Sequence, residues 1–140
     1  MSPTHLTASK INDLHGELVD RYGGNTDVRD PAALEKVAAS LAASPATGSA
    51  PDVLASTAAH YLCSILEHHP FVDGNRRTAL AAALYFLEMN GVELIAPDHI
   101  LAEMVISVAE KRCKTDVLRD FFRNSIPNDA VIRPVEAGTA

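Results

Sequence analysis

The sequence predicts an all-α domain built around one central helix. Apolar residues recur at helical spacing in several segments whose ends carry capping residues such as Asp, Thr, Pro and Gly. The segment from Asn75 to Met89 is apolar on nearly every side, which is typical of a helix enclosed by other helices. No stretch has a convincing strand pattern, and no internal repeat is visible. With 140 residues, nearly half of them apolar, the chain has the length of one domain with its own core.

The first two helices are bounded by local signals. Residues 8–21 place apolar side chains on one helical face, and a pair of glycines follows them. In the second helix, Asp30 is the predicted N-cap and Pro31 the first helical residue. Residues 44–51 mix Pro, Gly and Ser without an apolar period, so they are predicted to form a loop.

Four more helices are predicted further along the chain. Their expected spans are Asp52 to about His68, Asn75 to Met89, Asp98 to about Lys111, and 116–124 with Thr115 as its cap. Gly91 is the predicted residue at the end of the central helix, where a left-handed conformation is common. Residues 126–140 contain two prolines and have weak periodicity. They are expected to form a flexible tail, so the predicted domain comprises residues 1–125.

Composition and charge exclude several classes of protein. A net charge of −6 argues against direct nucleic-acid binding, which relies on a basic surface. Cys63 and Cys113 are too few for a disulfide framework or a cysteine-based zinc site, and they are predicted to be reduced, largely buried thiols. No signal-peptide pattern is visible, and Glu88 interrupts the most apolar stretch before it reaches membrane-spanning length. A cytoplasmic protein without a membrane segment is expected.

The joint between the third and fourth predicted helices, residues 69–77, has the sequence HPFVDGNRR. It leads into the N-terminus of the most buried helix, which offers unpaired N–H groups and a partial positive charge. Gly74 can adopt a positive φ and bring the backbone close to an anion. Arg76 and Arg77 carry guanidinium groups that match phosphate geometry. The joint is therefore predicted to bind a polyphosphate.

The same nine residues contain candidates for catalysis. His69 can accept a proton near neutral pH. Asp73 offers the hard oxygen ligand that holds Mg²⁺ together with substrate phosphates. Phe71 is the expected apolar anchor of the loop on the core. A terminal histidine, an Asp-Gly turn or two exposed arginines usually have no catalytic role when each occurs alone, but their combination within nine residues favours an active site.

These residues resemble the signature of the Fic/Doc family, His-x-Phe-x-Asp-Gly-Asn followed by a small or basic residue and Arg. Three further stretches are similar to the Doc (death-on-curing) branch: DRYGG near residue 21, RDPAALE at 29–35, and RRTALAAALYFLEMNGVEL at 76–94. The resemblance covers about residues 5–125. It implies a compact Fic/Doc helical bundle whose central helix follows the signature loop.

The resemblance also implies a role for each matching residue. His69 would be the base that deprotonates a target hydroxyl, and Asp73 would bind Mg²⁺. Gly74 and Asn75 would form the anion-binding loop with the helix N-terminus. Arg77 would hold the phosphates of ATP, the implied co-substrate.

Two departures from AMP-transferring Fic enzymes point to the Doc branch. Those enzymes carry a glycine where this chain has Arg76, and a second arginine where it has Leu80. Residues 77 and 80 share a helix face, so a second arginine there would hold the far end of the triphosphate. Without it, ATP is expected to bind in a placement that presents its terminal phosphate. The implied function is a toxin of a toxin–antitoxin module that phosphorylates a Ser or Thr hydroxyl of a protein, with a translation elongation factor as the expected target.

Two alternatives stay open. One is a Fic-type AMP transferase, which fits residues 73–75 but fits Arg76 and Leu80 poorly. The other is a non-catalytic module that binds a nucleotide or a partner, although such a module would not need both His69 and Asp73.

The resemblance also bears on regulation and on target binding. Many Fic proteins inhibit themselves through a Ser/Thr-x-x-x-Glu-Gly/Asn motif, and no glutamate here has Ser or Thr four residues before it. An inhibitor is therefore expected from another chain, as the Phd antitoxin is for Doc. Residues 44–52 are expected to correspond to the flap that pairs with the target, but they contain few β-forming residues.

Overall fold

Six helices form the protein, as the computed structural model describes it for residues 2–43, 47–112 and 114–134. They are α1 (Ala8–Tyr22), α2 (Pro31–Ala43), α3 (Ala50–His68), α4 (Asn75–Met89), α5 (Asp98–Ala109) and α6 (Thr115–Ser125). Within these residues there is no strand, and one isolated antiparallel β-bridge joins Val28 to Phe71. The predicted all-α fold is confirmed.

The central position belongs to α3 and α4, which pack against each other. Helix α4 also contacts α1 and α5, while α3 contacts α2, α5 and α6. Small side chains let the helices approach closely, since Ala79, Ala82 and Ala83 of α4 are fully buried. The largest fully buried side chains include Tyr61, Phe71, Phe86, Phe122, Ile11 and Leu54. Because Phe71 is one of them, the loop between α3 and α4 is anchored on this core.

Local capping interactions mark the starts of several helices, and two of the six starts differ from prediction. The Asp30 carboxylate caps α2 through the Ala33 N–H at 3.1 Å, as predicted. Helix α3 begins two residues before the predicted Asp52, because Ser49 is its N-cap and forms a reciprocal capping box with Asp52. Thr115 is not the cap of α6: it is the first helical residue, and its hydroxyl instead lies 3.8 Å from the Cys63 Sγ.

Thr4 and Arg133, near the two ends of the described part of the chain, meet at the C-terminal end of α4. The buried Asn90 side chain accepts a hydrogen bond from the Thr4 N–H at 2.8 Å and donates to the Thr4 carbonyl at 3.0 Å. Its own carbonyl accepts from the Arg133 N–H at 2.9 Å. Beside it, Gly91 has a φ of 90°, the left-handed conformation predicted for it.

Some of the sequence-based predictions concern residues that lie partly outside the described ranges. In the segment expected to be a flexible tail, Ile126 and Ile132 are buried, whereas residues 135–140 lie outside the described part. The boundary at residue 125 stays a prediction. Residues 44–46 of the expected flap and Cys113 also lie outside the described part. Cys63 is half-buried. Among the described helices, none has both the length and the hydropathy needed to cross a bilayer.

Candidate active site

The signature loop, residues 69–74, begins in an unusual backbone conformation. His69 follows the last residue of α3 with φ 51° and ψ 55°, and its N–H donates to the Ile65 carbonyl at 3.0 Å. This left-handed conformation is uncommon outside glycine, although histidine adopts it more readily than most residues. The His69 side chain is exposed. The end of α3 thus presents an imidazole to solvent at the start of the loop.

Arg29 holds this turn from outside the loop. Its Nε donates to the His69 carbonyl at 2.6 Å, and its Nη2 donates to the His68 carbonyl at 2.8 Å. These two oxygens belong to the helix C-terminus, where carbonyls lack partners within the helix. One guanidinium therefore fixes the direction in which the chain leaves α3.

The linker between α1 and α2, residues 23–30, runs along the signature loop. The N–H groups of Arg29 and Asp30 donate to the Pro70 carbonyl at 2.8 and 3.0 Å, and the Val72 N–H donates to the Asp27 carbonyl at 3.2 Å. The bridge between Val28 and Phe71 lies between these contacts. The linker and the loop therefore form a short paired clamp rather than two independent loops.

Asn75, the first residue of α4, closes the loop on itself. Its Oδ1 accepts from the Phe71 N–H at 3.1 Å, and its Nδ2 donates to the Phe71 carbonyl at 2.9 Å. Asn75 is buried and Phe71 is completely buried in the core. The Asn75 side chain is thus engaged in shaping the loop, so any contribution of Asn75 to anion binding would come from its backbone N–H.

Below the loop lies His15 of α1, which is fully buried. Its ring stacks on the Phe71 ring with a centroid distance of 3.8 Å and an interplanar angle of 8°. Its Nε2 lies 2.7 Å from the Asp73 carbonyl oxygen, and its buried Nδ1 has no hydrogen-bond partner among the described residues. The inner side of the loop therefore rests on one imidazole.

Asp73 points its carboxylate to the outer side. The residue is exposed, and its Oδ2 accepts the Asn25 N–H at 3.0 Å. Gly24 lies close by with φ 119°, and a Cβ at that position would stand 3.4 Å from the Asp73 Cβ. The linker thus orients this carboxylate through a backbone N–H and leaves it accessible from solvent.

The N-terminus of α4 completes the site. Gly74, its N-cap, has φ 79° and ψ 17°, and it has no side chain with which to cap the first-turn N–H groups. Arg76 and Arg77 are exposed on that first turn, and the Arg77 guanidinium lies 4.5 Å from the centroid of the Tyr22 ring. A positive helix end with two arginines is chemically suited to a phosphate group.

All the predicted site residues thus lie on this one loop and the first turn of α4, and their individual roles stay predictions. Sequence reasoning missed the groups that hold the loop, namely His15, Asn25 and Arg29, together with Tyr22. One signal was present for His15, because it lies four residues after Ile11 on the apolar face of α1. Nothing local marks Asn25 or Arg29, since both act on residues about forty or more positions away.

Comparisons with known proteins give two similar chains and one matching family model. The chain is 32% identical over 120 residues to "Protein kinase doc" of Escherichia phage P1, which covers 85% of this chain and 93% of that protein. It is 37% identical over 97 residues to "Toxin Doc" of Mycolicibacterium smegmatis, which covers 68% of this chain and 75% of that protein. Residues 5–87 match the model of the Fic/DOC family, and they include the linker, the signature loop and most of α4. The chain therefore belongs to the Fic/DOC family.

Proposed function

We propose that this chain is a Doc-like toxin that transfers the γ-phosphate of ATP to a Ser or Thr hydroxyl of a protein. The observation that carries the proposal is the arrangement of the signature loop, with the His69 imidazole at its start and the open N-terminus of α4 with two arginines at its end. The names of the two relatives, a protein kinase and a toxin, support the same activity.

In the proposed reaction, each end of the loop has its own role. His69 accepts the proton of the target hydroxyl as that oxygen forms a bond to the γ-phosphorus. The bond from the γ-phosphorus to the bridging oxygen breaks, and ADP leaves with the electron pair. The first-turn N–H groups of α4, with Arg76 and Arg77, neutralise the charge that develops on the phosphate oxygens. The αL backbone of His69, held by Arg29, keeps the base oriented.

Asp73 is the residue that would hold Mg²⁺. No group of three or more His, Cys, Asp or Glu side chains suited to a metal occurs within the described residues. A site with a single protein carboxylate suits Mg²⁺, because Mg²⁺ is commonly held by one or two carboxylates together with substrate phosphates and water. The exposed Asp73 carboxylate, oriented by the Asn25 N–H, offers one such ligand. When bound, Mg²⁺ would supply positive charge to the phosphates.

Phosphate transfer is favoured over AMP transfer by the residues around Arg77. Leu80, one turn further along α4, is half-buried and apolar, so it offers no second cation for the far end of a triphosphate. Arg76 adds a cation on the first turn of α4 instead. The intact pair of His69 and Asp73 argues against a non-catalytic module. A translation elongation factor is the proposed target, and a Phd-like antitoxin is the proposed inhibitor.

Isotope labelling tests the reaction directly. The purified chain is incubated with Mg²⁺ and antitoxin-free cell extract containing the elongation factor, with ATP labelled at either the γ- or the α-phosphate. We expect label in the target from γ-labelled ATP alone, and a mass shift of one phosphate on that protein. Label from the α-position would mean AMP transfer, and no label from either position would favour the binding module.

Neighbouring histidines provide a matched pair of variants. His69→Ala removes the proposed base, so we expect the rate of transfer to fall by about 10²–10⁴-fold. His68→Ala changes the adjacent exposed histidine, whose contact with Arg29 is made by its backbone carbonyl and survives the substitution. This variant is expected to keep its activity. Equal losses in both variants would remove His69 from the mechanism.

A further inference from the structure

His15 occupies a place in the fold that packing alone does not require. It is fully buried beneath the signature loop, and its ring lies flat against that of Phe71. A leucine or phenylalanine would fill such a place without bringing a polar atom into the core. The histidine brings two ring nitrogens, and one of them, Nε2, is 2.7 Å from the Asp73 carbonyl oxygen.

The direction of that hydrogen bond is unambiguous. A carbonyl oxygen only accepts, so Nε2 carries the hydrogen and donates it. The same ring also lies under the next residue, since a Cβ at Gly74 would stand 3.5 Å from His15 Cδ2 and 3.6 Å from Nε2. One side chain therefore contacts Phe71 and the Asp73 carbonyl and lies next to Gly74, the residue that leads into α4.

Holding this carbonyl has a consequence for the N–H on the same peptide bond. The described residues contain no cis peptide bond, and in a trans peptide the C=O and the N–H point in opposite directions. Because the Asp73 carbonyl is turned inward to His15, the Gly74 N–H is turned away from it. His15 is buried, whereas Asp73 and Arg77, which flank this part of the chain, are exposed, so we infer that the Gly74 N–H faces the solvent side of the loop.

We propose that His15 is a positioning residue that turns the Gly74 N–H outward to bind the phosphates of the co-substrate. The inference rests on the proposed function in that it takes a nucleotide as the ligand. The Gly74 N–H would add one donor to the first-turn N–H groups of α4. Gly74 can hold the positive φ of this turn, which residues with a Cβ rarely adopt. His15 itself touches neither the nucleotide nor the target.

Two substitutions separate the hydrogen bond from the packing. His15→Phe keeps a flat ring on Phe71 but has no donor. His15→Gln loses the ring but can place an amide N–H near the position of Nε2. Loss of one hydrogen bond to a charged phosphate is expected to raise the dissociation constant of Mg²⁺-ATP about tenfold in His15→Phe. His15→Gln is expected to recover most of that affinity. Isothermal titration calorimetry measures both, and thermal melting of the ligand-free proteins reports stability separately.

A spectroscopic signature tests the Gly74 N–H itself. In wild-type protein labelled with ¹⁵N, the Gly74 amide resonance is expected to move downfield when inorganic pyrophosphate or Mg²⁺-ATP is added, and in His15→Phe this movement is expected to be lost. The wild-type measurement does not require either variant to fold. A Gly74 resonance in the wild type that ignores both ligands would overturn the inference.

Other outcomes distinguish the inference from the proposed function. If both variants are less stable but bind Mg²⁺-ATP as tightly as the wild type, His15 is only a packing residue and the inference is wrong. If wild-type protein transfers AMP rather than phosphate while the Gly74 shift depends on His15, the kinase proposal fails and the inference stands. If no nucleotide binds at all, both fail.

Discussion

The side-chain amide of Asn75 is hydrogen bonded to both main-chain polar groups of Phe71, at 3.1 Å from the Phe71 N–H and 2.9 Å to the Phe71 carbonyl. Asn75 is the first residue of α4, and Phe71 is buried in the core. The pairing closes the chain over residues 71–75 into a compact turn, so that the conformation of the signature loop depends on the start of α4.

Removing this amide is expected to destabilise the protein. Asn75→Ala leaves the N–H and the carbonyl of the buried Phe71 without their partner, and we expect the free energy of unfolding to fall by about 1–3 kcal/mol. Urea denaturation measures the change. Asn124→Ala, at an exposed position of α6, is the matched control and should change stability by less than about 0.5 kcal/mol. A neutral effect of Asn75→Ala would show that water replaces the amide.

Because Arg29 donates two hydrogen bonds at the end of α3, replacing it is expected to reduce activity more than stability. Arg29→Lys replaces two aligned donors with a single point charge, which cannot reproduce the bonds to the carbonyls of His68 and His69. Because Arg29 is exposed, we expect a loss of only about 1 kcal/mol in stability. The kcat for transfer should fall about tenfold or more, since small errors in position are costly in catalysis. Arg112→Lys, in a surface ion pair with Glu110, is the control and should leave kcat unchanged.

The helices around the site were predictable because their signals are local. Asp30 caps α2, Gly91 takes the left-handed conformation, and α4 begins at Asn75 and ends at Met89, all as expected. Each of these signals acts within about four residues along the chain. The start of α3 differs from prediction for an equally local reason. Pro51 is typical of a loop, but here it lies inside the first helical turn, which Ser49 caps.

The clamp around the signature loop was not predictable because distant groups form it. Arg29 contacts carbonyls 39 and 40 residues away, and the acceptor on Pro70 is a backbone oxygen that every residue type has. Such pairing leaves no pattern in the residue types. His15 is a different case, because its position on the apolar face of α1, beside Ile11, Leu14 and Val19, indicates burial, although the residue type does not show which groups its ring nitrogens contact.

Tyr22 should influence how the site holds nucleotide. The Arg77 guanidinium lies 4.5 Å from the centroid of its ring, and a contact of this kind at an exposed site contributes about 0.5–1 kcal/mol. Tyr22→Ala is expected to raise the KM for ATP about two- to fivefold with little change in kcat, because Arg77 loses its support. Tyr22→Phe keeps the ring and should behave as the wild type. Lys10→Ala, which removes the cation above Tyr85 elsewhere on the surface, is the control.

Lowering the pH should reduce the stability of the folded protein through protonation of His5. Burial lowers the pKa of His5 below 6.5, so the unfolded chain takes up a proton at a higher pH than the folded protein does. The contribution of neutral His5 to stability is therefore present above pH 6.5 and is lost as the pH falls through that value toward the lower folded pKa. The His5 Nδ1 lies 3.1 Å from the Tyr61 hydroxyl oxygen. That oxygen accepts the Leu6 N–H, so the hydroxyl can donate its proton to Nδ1 only when Nδ1 is unprotonated.

The measurement is a comparison of melting temperatures between about pH 7.5 and pH 5.5 for the wild type and His5→Gln. We expect the melting temperature of the wild type to fall more on acidification than that of His5→Gln, because the two proteins differ only at position 5 and all other effects of pH cancel in the difference. Parallel pH dependence in the two proteins would rule out a contribution from His5.

Ending the chain at Ser125 should destabilise the fold, although the sequence predicts a domain boundary there. Ile126 and Ile132 are buried beyond this point, and the Arg133 N–H donates to the carbonyl of Asn90 at the end of α4. Loss of the two side chains alone is expected to lower the free energy of unfolding by about 3–6 kcal/mol, at about 1.5–3 kcal/mol for each. Urea denaturation measures the change. A chain ending at Pro134, which keeps all of these contacts, is the control.

Gly91→Ala tests the same contact without shortening the chain. A Cβ at this position would lie 2.9 Å from the Arg133 Cβ and 3.0 Å from the Arg133 carbonyl oxygen, and the residue has φ 90°. Both effects should destabilise the full-length chain, by about 1 kcal/mol or more. In the chain ending at Ser125 the backbone strain remains but the clash with Arg133 is gone, so Gly91→Ala should cost less there than in the full-length protein. Equal costs in the two chains would mean that residues 126–134 do not pack on α4 in solution, and the boundary predicted from the sequence would then be correct.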